Sequence, residues 1–238
     1  MKKSPQKEKK KTLQTFFGKP FILVFALLLF ACAALKMAFT ISTDSATGIW
    51  KFTLIFDTIT TLLFASSLFL FYMSSDTKVK QGNLISAALF LTSSLLSMIT
   101  QAAFVIYIAT FMEVIPTLLT VLCFFVPTVF QLRFAIHLLI DTITNKAKAK
   151  GAAEYAGAKV FALVPAFLIK YLEFDILNYT PVINVALFKT PFEVSNAMDT
   201  NYPSLAFICL IVSAISLAAF ALLYNKFAIE CSKEENTQ

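Results

Sequence analysis

Residues 20–39 read PFILVFALLLFACAALKMAF, an apolar run in which Lys36 is the sole charged residue. A helix of roughly 20 apolar residues is long enough to cross the hydrocarbon core of a bilayer. Helices and closed barrels are the structures that span lipid, because each satisfies its own backbone hydrogen bonds. The run therefore predicts a membrane-spanning helix.

Similar apolar segments recur along the sequence. The stretch 84–140 holds two charges, Glu113 and Arg133, and is too long for one span, so we divide it near Glu113–Pro116. We predict an all-α, polytopic transmembrane bundle with spans at about 20–39, 52–73, 84–111, 115–134, 156–172 and 203–224. The fifth span is the weakest, because Lys159 and Lys170 lie within it. Five spans are the alternative, which would place the carboxyl terminus outside.

The overall composition agrees with a membrane protein. Of 238 residues, 58% are hydrophobic and 14% are charged. Soluble domains are about 45–50% apolar and about 25% charged. This composition leaves too little polar surface for a soluble globule, and the long apolar blocks exclude disorder.

The lysine distribution predicts the orientation. Of the 19 lysines, 15 lie in the segments 1–19, 74–83, 141–159 and 226–238, which a six-span bundle puts on one side. Loops on the cytoplasmic side of a membrane are enriched in lysine and arginine. We therefore expect a cytoplasmic amino terminus in a cell membrane, with the bacterial cytoplasmic membrane as the expected location.

Three regions follow from these boundaries. They are a basic cytoplasmic tail at 1–19, a transmembrane domain at 20–228 and a second cytoplasmic tail at 229–238. Residues 29–32, LFAC, also resemble a lipoprotein cleavage site, although Phe30 occupies a position that usually holds a small residue. An uncleaved first span is the interpretation we adopt.

The basic segments suggest partners. The amino-terminal tail and the 141–159 loop are expected to lie on anionic lipid headgroups, and a protein partner at the cytoplasmic face is a further expectation. Nucleic acid is not expected, since the tail's lysines abut a membrane span and lack interleaved aromatic residues.

Sequence motifs for catalysis are absent. The chain contains no Walker A sequence, dinucleotide fingerprint, HExxH or GxSxG. His137 is the only histidine, and the four cysteines form no CxxC pair. We therefore predict no catalytic residues, no cofactor and no metal, and we interpret the cysteines as small apolar side chains.

Polar residues within the spans are the remaining candidates, because ionisable groups inside a membrane are costly and often functional. Lys36 and Asp57 lie at similar depths in the first two spans, and we predict that they pair. On the third span, polar side chains recur at helical spacing, which is typical of helix packing or of a polar path; they are Ser86, Ser93, Ser97 and Gln101.

The inner end of the fourth span carries a third group. Arg133, His137 and Asp141 follow at i, i+4 and i+8, a spacing that places neighbours on one helix face. We hypothesise that these residues and the basic loop form a cytoplasmic working surface. The alternative without a specific function is that these residues only interact with water and lipid phosphate at the interface.

Three functional classes stay open at this stage. The sequence favours a non-catalytic membrane component or accessory subunit, which needs packing surfaces more than reactive groups. The second hypothesis is a permease subunit for a small solute or peptide that works with a separate ATPase. The third is an intramembrane enzyme with unfamiliar spacing of its reactive residues.

Overall fold

The computed structural model describes residues 12–42, 49–76, 80–111, 118, 121–171 and 202–236. Its α-helices are α1 (Leu13–Phe17), α2 (Pro20–Ser42), α3 (Ile49–Asp76), α4 (Lys80–Phe111), α5 (Val126–Thr144), α6 (Ala152–Tyr171) and α7 (Tyr202–Asn236). A π-helical turn, Val121–Phe125, leads directly into α5. The prediction of an all-α membrane bundle is confirmed.

Five helices in the described ranges are long and apolar enough to cross a membrane: α2, α3, α4, the π turn with α5, and α7. The helix α6 is 20 residues long but is not one of these five. It is the helix on which the choice between five and six spans depends. Residues 172–201, between the fifth and sixth predicted spans, lie outside the described residues.

The helices pack in sequence and then close on themselves. α2 packs on α3, α3 on α4 and α4 on α5, while α6 lies on α7 and α7 returns to α2. Apolar side chains on the outer faces remain exposed, as expected of surfaces that meet lipid; they include Val24, Leu27, Leu62, Ile99, Ile136, Val160, Ile215 and Leu222. We call the end of the bundle that holds Pro20, Asp76 and Lys80 the inner end, after the predicted orientation.

A layer of aromatic rings fills the centre of the bundle. Phe90 lies 4.9 Å from Phe64, 5.8 Å from Phe134 and 5.9 Å from Phe220 between ring centroids. All four side chains are at most 4% exposed. Polar side chains lie on both sides of this aromatic layer, so it separates an inner polar group from an outer one.

The amino-terminal region differs from the predicted tail at 1–19. Residues 13–17 form α1, whose Phe16 and Phe17 are at most 1% exposed. Phe17 stacks on Phe71 at 4.0 Å, and Phe16 lies 5.3 Å from Tyr224. Because two phenylalanines and Leu13 provide an apolar face, this segment closes the inner end of the bundle rather than forming part of a tail.

The helix ends differ from the predicted boundaries of the fourth span and of the inner loop. Arg133 was placed at the end of a 115–134 span, but α5 continues to Thr144, and α6 already begins at Ala152. The connection is therefore 145–151 and not 141–159. At the carboxyl end, α7 extends to Asn236, so most of the predicted 229–238 tail is helical.

The connection 145–151 folds back into the bundle. A Cβ atom at Gly151 would lie 3.5 Å from the backbone nitrogen of Phe134, ten residues before the end of α5. At 1.5 Å per residue, the chain has returned about 15 Å along α5. Asn145, Ala149 and Gly151 make the reversal with positive φ angles of 52°, 48° and 81°. As a result, α6 begins near the aromatic layer and not at the inner end.

Candidate functional site

The first polar group joins α2 and α3 in the outer half of the bundle. Lys36 Nζ lies 2.8 Å from Asp57 Oδ2, so the predicted ion pair is confirmed. The same ammonium donates to Thr61 Oγ1 at 3.0 Å, and Thr61 donates to the Asp57 carbonyl oxygen at 2.8 Å. The Lys36 side chain is 19% exposed and that of Asp57 is 43% exposed, so the pair is partly shielded.

Lys159 of α6 extends this group. The charges of Asp57 and Lys36 both act on the Lys159 ammonium, although the described residues place no carboxylate within 4.0 Å of it. The folded-back connection starts α6 near the aromatic layer and places Lys159 one turn beyond Tyr155. We call Lys36, Asp57, Thr61 and Lys159 the outer cluster.

Two cysteines lie near the outer cluster. The Cys32 and Cys209 thiols lie beside each other, near the charges of Lys36 and Asp57. Both are buried free thiols. This contact links α2 to α7, so these residues fill the helix interface as the small side chains that the sequence suggested.

The polar stripe on α4 faces α3. Ser93 is fully buried and donates to the Thr60 carbonyl oxygen at 2.8 Å. One further hydrogen bond in this interface runs from Ser67 to the Ser86 carbonyl oxygen at 2.7 Å. Ser97 and Gln101 are half-buried farther along α4. Ser86 and Ser93 therefore act at the helix interface, which agrees with the packing interpretation.

The second polar group is centred on Asp141 at the inner end. Its Oδ2 atom accepts hydrogen bonds from the backbone N–H groups of Lys148 and Ala149 and from the Tyr224 hydroxyl, each at 2.9 Å. Asp141 is 2% exposed. One carboxylate thus holds the folded-back connection and α7 together, and we call it the inner anchor.

The predicted working surface of Arg133, His137 and Asp141 does not form one face. Arg133 is exposed, His137 is half-buried and Asp141 is buried. Eight residues of α-helix rotate by about 80° beyond two full turns, which turns Asp141 from the exposed side into the bundle. Asp141 is therefore bonded to the connection and to Tyr224 instead of orienting Arg133 or His137.

Arg133 has a different partner. Its Nη2 atom lies 3.9 Å from Glu154 Oε1, and the two side chains are 55% and 48% exposed. Apolar side chains of α5 are exposed on both sides of Arg133 along the same stripe; they are Val129, Ile136, Ile140 and Ile143. The ion pair thus interrupts an otherwise apolar outer face.

A buried amide between α5 and α6 was not singled out from the sequence. Gln131 is fully buried, and its Oε1 atom accepts a hydrogen bond from the Tyr155 hydroxyl at 3.1 Å. Its Nε2 atom has no hydrogen-bond partner in the described structure. A glutamine within an apolar run is a usable sequence signal, but its pairing with Tyr155 depends on the folded-back connection.

Comparisons with protein-family models, with curated proteins and with solved structures find no match to this chain. Within the described residues, no three His, Cys, Asp or Glu side chains cluster in a way that could hold a metal ion. The two polar groups and the Arg133–Glu154 pair are therefore the candidate functional features of the bundle.

Proposed function

We propose that the protein is a non-catalytic, membrane-embedded accessory subunit that binds a partner membrane protein through the outer face of α5 and α6. The observation that carries the proposal is the Arg133–Glu154 pair, which is exposed among apolar side chains. Exposed Ile136, Ile140 and Ile143 lie between Arg133 and the inner end of α5. The pair is therefore at a depth where lipid-facing charges are costly.

A partner helix would remove that cost. Polar side chains of a second helix can hydrogen-bond to the guanidinium and carboxylate groups, while its apolar residues cover the neighbouring stripe. Arg133 offers a planar set of donors that suits bidentate pairing with a carboxylate. We therefore identify the partner as a membrane helix that carries an acidic or amide side chain.

Most other polar groups in the bundle support this assignment. The inner anchor is satisfied by three donors of the same chain, and the α3–α4 serines donate to backbone carbonyl oxygens. These groups stabilise the fold, which is what a scaffold needs. We place the protein in the bacterial cytoplasmic membrane, with the exposed Lys146, close to the inner end of α5, at the cytoplasmic lipid surface.

The test uses a photoreactive residue at Ile136 in native membranes, with Leu222 on the exposed face of α7 as the matched control position. We expect Ile136 to capture one defined membrane protein and Leu222 to capture lipid. Capture at Ile136 should be lost in the double variant Arg133→Leu/Glu154→Leu and weakened in Arg133→Lys, since lysine lacks the planar donor set.

Three outcomes contradict the proposal. They are lipid alone at position 136, a captured protein that persists unchanged in the double variant, and capture of a second copy of this chain alone. Tolerance of Arg133→Lys together with lipid capture would instead indicate a headgroup anchor.

A permease subunit that works with a separate ATPase is the second candidate. The observation that favours it is the outer cluster, where two lysines and one aspartate lie partly shielded between helices. The ATPase would dock on the 145–151 connection. Co-purification of an ATPase that depends on lysines 146, 148 and 150 would favour this candidate over the accessory subunit.

A further inference from the structure

Lys159 lies on the interior face of α6. The residues at i−7, i−4, i−3 and i+3 from it are buried: Ala152, Tyr155, Ala156 and Ala162. Its Nζ atom lies over the ring of Tyr155, 5.9 Å from the centroid. Lys159 is half-buried, so the neighbouring helices partly shield its ammonium group.

The outer cluster has more positive than negative charge. Asp57 is the carboxylate of this cluster, and it is already paired with Lys36 at 2.8 Å. The charge of that carboxylate also acts on Lys159, but the two groups form no ion pair. Among the described residues, the outer cluster therefore carries two ammonium groups for one carboxylate, an imbalance that is unfavourable away from water.

A buried donor without an acceptor lies beside the same tyrosine. Gln131 Oε1 accepts the hydrogen bond from Tyr155, which leaves the Nε2 hydrogens without an acceptor. Reversing the amide would exchange the two atoms and leave the oxygen without a donor, so one polar atom of Gln131 stays unsatisfied either way. A buried amide group without a partner is rare in folded proteins.

We propose that Lys159 and Gln131 bind a small monovalent anion, a halide or a short carboxylate, beside Tyr155. Such a ligand accepts a hydrogen bond from the Gln131 amide and balances the surplus ammonium charge. The adjoining face of α6 carries only small side chains at three positions, Ala152, Ala156 and Ala162. The proposal does not depend on the partner-binding face, which is built from other residues.

The experiment measures the thermal unfolding of the full chain in detergent. Chloride, bromide or acetate is titrated at constant ionic strength against gluconate, which is too bulky for the site. A ligand that binds only the folded state raises the unfolding temperature in a saturable way. Lys226→Met, at an exposed lysine on α7, is the matched control.

We expect the wild type, Lys159→Arg and Lys226→Met to show the saturable rise. Lys159→Met and Gln131→Leu should weaken the apparent affinity by at least about tenfold. The response to halide against the response to acetate identifies which class of anion binds. An equal response in Lys159→Met and the wild type, or no saturable response in any protein, overturns the proposal.

A direct observation keeps the proposal testable if a variant fails to fold. Crystals of the wild-type chain grown in bromide should show an anomalous peak between Lys159 Nζ and Gln131 Nε2. A water molecule at this position, with no anomalous signal, overturns the proposal and leaves Gln131 bonded to solvent.

Discussion

The inner anchor and the outer cluster show two ways to place charge in an apolar bundle. Asp141 accepts three hydrogen bonds from its own chain at Oδ2, and these bonds stabilise its negative charge. The outer cluster pairs Lys36 with Asp57, and no carboxylate of the described residues lies within ion-pair distance of Lys159. The comparison separates a group that holds the fold together from one that remains available to a ligand.

The largest expected effect comes from removing the inner anchor. Asp141→Ala leaves two backbone N–H groups and the Tyr224 hydroxyl buried without an acceptor, and each unsatisfied donor costs about 1–3 kcal/mol. We expect a loss of about 3–5 kcal/mol in the free energy of unfolding, measured in detergent. Tyr224→Phe removes one of the three donors and should cost clearly less. Wild-type stability in Asp141→Ala would show that the carboxylate does not hold the connection.

The Lys36–Asp57 pair should show a smaller but coupled effect. Lys36→Met or Asp57→Asn alone leaves one charge without its partner and is expected to cost about 2–3 kcal/mol, less than a fully buried pair. The double variant should recover part of this loss. Strictly additive effects in the thermal unfolding of the four proteins would mean that the two side chains do not interact.

The folded-back connection gives a matched comparison of two neighbouring positions. Gly151 has φ +81°, and Ala149 has φ 48°. Gly151→Ala places a side chain in a left-handed conformation and should cost about 1–2 kcal/mol. Ala149→Gly removes such a side chain and should change stability by less than about 1 kcal/mol. Equal effects in chemical denaturation would argue against this backbone geometry.

The smallest expected effect is in the α3–α4 interface. Ser93→Ala removes the hydrogen bond to the Thr60 carbonyl oxygen, and interhelical bonds of this kind contribute about 0.6 kcal/mol on average. Thr92→Ala is the control, because Thr92 is exposed and bonds within its own helix to Ala88. Reduced stability in Thr92→Ala alone would reverse our assignment of the interface.

The apolar segments and the Lys36–Asp57 pair could be predicted from the sequence. The length of a span can be read from an apolar run such as 20–39. The depth of a charge can be read from its position within that run, so two charges at similar depth in adjacent spans predict a pair. Ser86 and Ser93 were also found, since helical spacing brings them to one face of α4. These predictions need no knowledge of which distant helices meet.

The folded-back connection could not be predicted in the same way. Residues 145–151, NKAKAKG, have the composition of a polar inner loop. Its place in the bundle depends on Asp141, which binds this connection and Tyr224 of another helix. The depth of Lys159 depends on that fold-back. Gln131 and Glu154 were overlooked because their partners lie on a different helix.

The most direct test of the comparison is the thermal stability of Lys159→Met beside that of Asp141→Ala, in a buffer without small anions. If the outer cluster carries an uncompensated charge, replacing it with an apolar side chain of similar length should raise the free energy of unfolding, by about 1–3 kcal/mol. Asp141→Ala should lower it. A loss of stability in Lys159→Met as large as that in Asp141→Ala would contradict the account, because Lys159 would then hold the fold together as Asp141 does.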